Sequence, residues 1–225
     1  MITLHHLEYS QSFRVLWLLE ELGIEYELKS YDRDPNTRLA PSDYKKVSPL
    51  GTAPVISDGD VTLAESNAII DYILDKYPSD SLRPGVGDSD RARYLFWFHA
   101  SQGSMMPLLL MEAVMRVMHS RVPFLLKSVV GFLNKKMNQA FSKPRMQGLL
   151  KQAELDLAQA DWFGGHHLTA ADISMIYPME GAESRGYIND NFPNCQAWLK
   201  RAKACPSFKR ATEKDNRPSM IMKIG

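Results

Sequence analysis

Apolar residues in the first 77 positions recur in short blocks whose period switches between two and about 3.6, the signatures of strand and helix. Ile2 to Leu7 predicts a strand. Phe13, Val15, Leu16, Trp17, Leu19 and Leu22 fall at helical spacing and stop at Gly23, a residue suited to a helix end. Tyr26 to Tyr31 alternates as a second strand, and Pro54–Ser57 with Val61–Leu63 brackets Asp58-Gly59, a hairpin-turn signal. Ala68, Ile69, Tyr72, Ile73 and Tyr77 then mark an amphipathic helix. The predicted order is β-α-β, an irregular link, β-β-α.

From Pro78 to Gly87 the chain is rich in turn formers, which predicts a linker. Beyond it the alternating runs cease, and helical segments are expected over Arg91–Met118, Phe124–Phe141, Arg145–Gln159, Thr169–Tyr187 and Ala197–Lys203. The organisation read from the pattern is therefore an α/β domain over 1–77, a linker over 78–87 and an all-α domain over 88–225. Within the latter, Thr169-Ala170-Ala171-Asp172 has the form of a capping box and reads as structural.

Composition narrows the function classes. The 225 residues are 44% hydrophobic, enough for a substantial core. A net charge of +1, from 27 basic and 26 acidic residues, gives no field favouring nucleic acid or an anionic membrane. No apolar run approaches the roughly 20 residues that span a bilayer, and Met1 to His6 lacks the form of a signal sequence, so a cytoplasmic location is expected. Cys195 and Cys205 form neither a disulfide framework nor a zinc pattern, and His5, His6, His99, His119, His166 and His167 show no metal-ligand spacing, so no metal is expected.

Candidate chemistry lies at two corners of the first domain. A proline opening a strand cannot donate to the ladder, and Pro54 would turn the chain so that Val55 offers its backbone to an extended peptide. Glu65 and Ser66 stand where a strand hands over to a helix, placing a hydroxyl, an amide and a carboxylate at the positive end of a helix dipole. The pair suits a ligand bearing an ammonium and a carboxylate on one carbon. Each feature has a plainer use, Pro54 as a turn residue and Glu65-Ser66 as a helix cap.

These strings, Ser48 to Ile56 and Leu63 to Ile70, together with Ser10 to Leu22 and Leu168 to Asp172, resemble the soluble glutathione transferases in the family's order and spacing across nearly the whole chain. The likeness is to bacterial and fungal members with a serine near the first helix. It implies a thioredoxin-like domain followed by a helical bundle, a reaction cleft between them, glutathione as co-substrate, a homodimer and a role in detoxification. The resemblance assigns thiol activation to Ser10, with Tyr9 and Ser12 as rivals, and glutathione binding to Pro54, Val55, Glu65 and Ser66. Relatives hold the glycine carboxylate with a base where this chain has Thr52, which leaves Arg38 or Lys45 to substitute. Met106, Met111, Arg116 and Tyr177 are the candidates for the electrophile site. Ser10-Gln11-Ser12-Phe13 contains no cysteine, which argues against dithiol exchange. Three activities remain open: addition of glutathione to hydrophobic electrophiles, reduction of hydroperoxides by the same thiolate, and a non-catalytic scaffold or regulatory protein.

Overall fold

Four strands form one sheet of order β2-β1-β3-β4 in the computed structural model, which describes residues 1–221. β1 (Ile2–Leu7) pairs in parallel with β2 (Tyr26–Tyr31), with Ile2 opposite Tyr26 and Leu7 opposite Tyr31. β3 (Val55–Asp58) runs antiparallel to β1, and β4 (Val61–Ala64) antiparallel to β3, closing the hairpin expected at Asp58-Gly59. Gly59 takes a φ of 59°, the left-handed conformation that favours glycine.

α1 (Ser12–Leu22) is apolar nearly all round because it is covered nearly all round: every residue from Ser12 to Glu20 is buried. It ends at Gly23, whose N–H donates to the Leu19 carbonyl at 3.1 Å. The link expected to be irregular contains a short helix, α2 (Ser42–Val47), with Tyr44 as its one buried residue. α3 (Ser66–Lys76) follows β4 directly.

The second half is helical, as the pattern predicts. α4 (Arg91–Ala100) passes through a π-helical turn, Ser101–Met105, into α5 (Met106–Arg121). α6 (Lys127–Met137) passes through a second π turn, Asn138–Ser142, into α7 (Lys143–Gln159). α8 (Ala170–Glu183), α9 (Pro193–Ala204) and α10 (Pro206–Asp215) complete it, α10 lying beyond the last helix expected from sequence.

The Thr169–Asp172 capping box forms. The fully buried Asp172 carboxylate accepts from the N–H groups of Thr169 (2.9 Å) and Phe163 (2.7 Å) and from Trp198 Nε1 (2.8 Å).

One apolar core runs from the sheet through α1 and α3 into α4, α7, α8 and α9. Polar contacts join the two halves as well. Trp17 Nε1 on α1 donates to Ser207 Oγ on α10 at 3.0 Å, and Ser174 on α8 donates to Asn67 on α3 at 2.8 Å. Cys195 and Cys205 are free thiols, and burial pushes the Cys195 thiol well up from the usual thiol range. No helix among the described residues is long and apolar enough to cross a membrane, and no group of three or more metal-ligating side chains occurs among them.

Candidate functional site

At the C-terminal end of β1 the chain must reverse into α1 within four residues. Tyr9 takes a φ of 50°, in the left-handed region, and Ser10 follows. Ser10 Oγ donates to the Leu7 carbonyl at 2.7 Å, accepts from the Ser12 N–H at 3.2 Å and lies 2.7 Å from Ser12 Oγ. Its hydroxyl thus braces the turn into α1, whose N-cap is Gln11, and also faces a cavity of about 430 Å³. The serine is tied into the β1–α1 turn and open to the cavity at once.

The opposite wall is the β4–α3 corner. Glu65 has a φ of 74°, strain of the kind stored at functional sites, and Ser66 opens α3. Ser66 Oγ accepts from Gln102 Nε2 at 2.7 Å and from Arg14 Nη1 at 3.1 Å. Gln102 reaches it because the π turn widens the α4–α5 helix at that point, as such bulges often do beside functional sites.

Beneath Ser66 lies an unusual charge. Arg14 is fully buried on α1, and among the described residues no carboxylate pairs with it; its Nη1 donates to Gln11 and Ser66, while Nε and Nη2 have no partner among them. Burial pulls its pKa down to about 9, still charged at neutral pH. A buried cation left uncompensated by the described residues favours an anion in the cavity above it.

The loop before β3 supplies the floor. Thr52, Ala53 and Pro54 line the cavity, and the Ala53–Pro54 bond is cis. The Thr52 carbonyl is held by Tyr44 Oη (2.9 Å) and Ser48 Oγ (3.0 Å), so α2 braces this loop. Val55 does not play the part the sequence suggests. It is 1% exposed, pairs with His5 on one side and Ala64 on the other, and packs with Leu7, Ala40 and Tyr44. Ala53, before the proline, is the residue that lines the cavity.

Arg38 and Lys45 are exposed and outside the lining. The lining base is Arg33, which sequence reasoning passed over. Its guanidinium is tied to the carbonyls of Glu8 (3.0 Å), Arg38 (3.2 Å) and Tyr9 (3.4 Å), contacts that fix it without cancelling its charge. Arg38 instead lies over the Tyr9 ring at 5.8 Å. Ser12 is wholly buried and does not face the cavity.

A second cavity, of about 300 Å³, adjoins the first through Tyr9, Arg33, Met106, Leu110 and Tyr177. Leu109, Ala113, Gly181 and Arg185 extend it along α5 and α8. Of the electrophile-site candidates, Met106 and Tyr177 therefore stand at the junction of the two cavities. Met111 turns toward a separate apolar groove with Phe141 and Leu149, on another face of α5, and Arg116 is exposed. Burial raises the Tyr177 pKa, against the lowering field of Arg14, Arg33 and Arg185.

A thioredoxin-like sheet domain joined to a helical domain, with a polar cavity at the sheet's end opening beside an apolar one, defines the structural class. Residues 1–75 match the family model for the glutathione S-transferase N-terminal domain, and residues 122–215 that for a glutathione S-transferase C-terminal domain. The chain is 35% identical over 217 residues to glutathione S-transferase 3 of Schizosaccharomyces pombe, covering 95% of this chain and 88% of that protein. It is 31% identical to glutathione S-transferase 1 of Saccharomyces cerevisiae, covering 95% of each. Among solved structures, a glutathione S-transferase of Actinobacillus pleuropneumoniae superposes with a TM-score of 0.75 at 32% identity, covering 96% of this chain and 93% of the other. A glutathione transferase of Phanerochaete chrysosporium, solved with oxidised glutathione, shares the fold with a TM-score of 0.72 at 24% identity and 97% coverage of both chains. The chain belongs to the glutathione S-transferase family.

Proposed function

We propose that this protein conjugates glutathione to apolar electrophiles, with Ser10 hydrogen-bonded to the reacting sulfur. The observation that carries the reading is the buried, unpaired Arg14 beneath Ser66, which fits the γ-glutamyl carboxylate of glutathione at the start of α3. Glu65 stands alongside for the ammonium. Backbone groups of the Thr52–Pro54 loop take the peptide body, and Arg33 takes the glycine carboxylate in place of Arg38 and Lys45, which stand outside the lining. That placement directs the thiol toward Ser10, where a hydroxyl donor and the positive end of the α1 dipole stabilise a thiolate. The adjoining cavity, apolar along Met106, Leu109 and Leu110, receives the electrophile.

Glutathione enters as a substrate, and the sulfur attacks an electrophilic carbon directly. The same thiolate would attack the oxygen of a hydroperoxide, so both acceptors belong in the assay. A site furnished with Arg14, Arg33 and Ser66 argues for ligand binding over a scaffold role. The exposed apolar residues Leu95 and Phe96 on α4 and Val114 on α5 support a homodimer, which sedimentation in solution would establish.

Ser10→Ala tests the assignment. Turnover should fall about a hundredfold while the glutathione dissociation constant changes little, because the hydroxyl acts on the transition state and the thiolate. An unchanged turnover would move the role to Tyr9.

A further inference from the structure

Ser10 is the outer end of a buried chain of hydrogen bonds. Its Oγ is 2.7 Å from Ser12 Oγ, which is 2.8 Å from Nδ1 of His6, whose Nε2 is 2.7 Å from Oδ1 of Asp215. Ser12 is 0%, His6 3% and Asp215 8% exposed, so only Ser10 reaches the cavity. The chain spans β1, the start of α1 and the last turn of α10.

Counting protons sets its direction. The Asp215 carboxylate can only accept, so Nε2 of His6 carries a proton. With the imidazole neutral, Nδ1 is then an acceptor, and Ser12 spends its single proton there. Ser12 Oγ is left to accept from Ser10 once the Ser10 hydroxyl, which rests on the Leu7 carbonyl at 2.7 Å, turns toward it, and Ser10 Oγ, accepting from the Ser12 N–H, then keeps one lone pair for a proton from the cavity. With Ser10 so turned, every link points inward, from cavity to histidine.

Resting on the reading that glutathione's sulfur meets Ser10, we propose that Ser12, His6 and Asp215 are positioning residues that draw the thiol proton away from the cavity and lodge it on His6. The S–H bond breaks, with its electron pair staying on sulfur. Its proton bonds to Ser10 Oγ as Ser10's own proton passes to Ser12 Oγ and Ser12's to Nδ1 of His6. The products are a thiolate and an imidazolium paired with the Asp215 carboxylate, with no change in oxidation state. The hydrogen bonds are then reversed, so that Ser10 donates to the thiolate. Proton removal and thiolate stabilisation thus become two states of one chain, and an imidazole is the side chain fitted to exchange a proton at neutral pH.

The charged groups packed around the chain are engaged elsewhere. Arg217 pairs with Asp32 and approaches Glu8 at 3.6 Å, and Lys214 reaches Glu20 at 2.5 Å. His5 lies on the other face of the sheet, bonded to Tyr31 and Ser57, while Arg14 faces Gln11 and Ser66. None competes for Nδ1 of His6.

The test compares two stoichiometries on adding glutathione to the whole protein at neutral pH: thiolate formed, from its ultraviolet absorbance, and protons released, from calorimetry in two buffers of different ionisation enthalpy. The wild type should form more thiolate than it releases protons. Ser12→Ala cuts the chain but leaves the His6–Asp215 pair, and with it the docking of α10, intact; bound thiolate should fall about tenfold, equivalent to one pKa unit, with the glutathione dissociation constant unchanged. Asp215→Asn should act in the same direction. Release of one proton per thiolate by the wild type, or wild-type thiolate in Ser12→Ala, overturns the relay. If Asp215→Asn lowers only the melting temperature while Ser12→Ala keeps its thiolate, the chain is merely structural and the proposal also fails. Wild-type thiolate in Ser10→Ala would instead remove the Ser10 assignment itself, and the relay with it.

Discussion

Replacing Arg14 by methionine should make the protein more stable and a poorer binder of glutathione at once. Arg14 is fully buried, so its charge is unscreened by solvent, and burial brings its pKa from the ordinary guanidinium range down to about 9. At about 1.4 kcal/mol per pKa unit, that amounts to a cost of about 5 kcal/mol for keeping the charge in the folded state. For the sign, a base with a depressed folded pKa is charged in both folded and unfolded chains at neutral pH. The full cost is therefore present there and is relieved only as pH rises above about 9. Against it stand the two hydrogen bonds from Nη1 to Gln11 (2.9 Å) and Ser66 (3.1 Å), together worth roughly 3 kcal/mol. Methionine has a similar length and an adaptable side chain, so little cavity is left. The net gain is about 2 kcal/mol, within the range seen when buried charges give way to apolar residues. For a chain of this length it raises the melting temperature by about 4–8 °C. The same substitution should weaken glutathione at least tenfold, so that a concentration giving the wild type a clear rise in melting temperature gives the variant much less. Thermal unfolding with and without glutathione reads both quantities. A ligand-free variant melting below the wild type would refute the charge argument, and an undiminished ligand-induced rise would refute the placement of the glutamyl carboxylate.

Other consequences follow from single contacts. Arg33→Gln should raise the KM for glutathione about tenfold with kcat nearly unchanged in steady-state assays, since the proposed contact to the glycine carboxylate is the same before and during reaction. Asp172→Ala leaves the N–H groups of Phe163, Thr169 and Trp198 without their acceptor and should destabilise by roughly 3 kcal/mol or more, a fall in melting temperature of over about 6 °C. Burial raises the Glu20 carboxyl, but hydrogen bonds from Lys214, Tyr26 and Arg210 outweigh it and hold the pKa below the usual carboxylate range. The stability this confers is present above the unfolded value of about 4.3 and is lost as pH falls through the lower folded value. The melting temperature of Glu20→Gln should accordingly fall less steeply than that of the wild type between about pH 4.5 and pH 3.

The elements legible in the sequence are those whose burial follows a local period. β1, α1 and the β3–β4 hairpin each carry their apolar residues at a spacing that one turn or one pleat imposes, and each forms where the spacing places it. α10 breaks that link. Only Phe208 and Ala211 among its apolar residues are buried, and it is held by polar partners far away in the chain: Ser207 by Trp17, Arg210 and Lys214 by Glu20, Asp215 by His6. α2, with Tyr44 alone buried, is too short for a period to show. The site divides the same way. Ser10, Pro54, Glu65 and Ser66 lie in local motifs that the chain shows, and all four line the cavity; Arg33, Gln102 and the Arg14 charge depend on partners that folding alone brings close. The Val55 misreading has a similar origin, because position after a proline marks a strand's start without showing that β1 and β4 occupy both its edges. His6 and Asp215 are the extreme case, 209 positions apart and in direct contact. Apolar burial leaves a repeating trace in the chain because many residues share it, whereas a hydrogen bond between two particular side chains repeats nothing. The chemistry that such bonds organise therefore becomes visible only once the fold has brought both partners together.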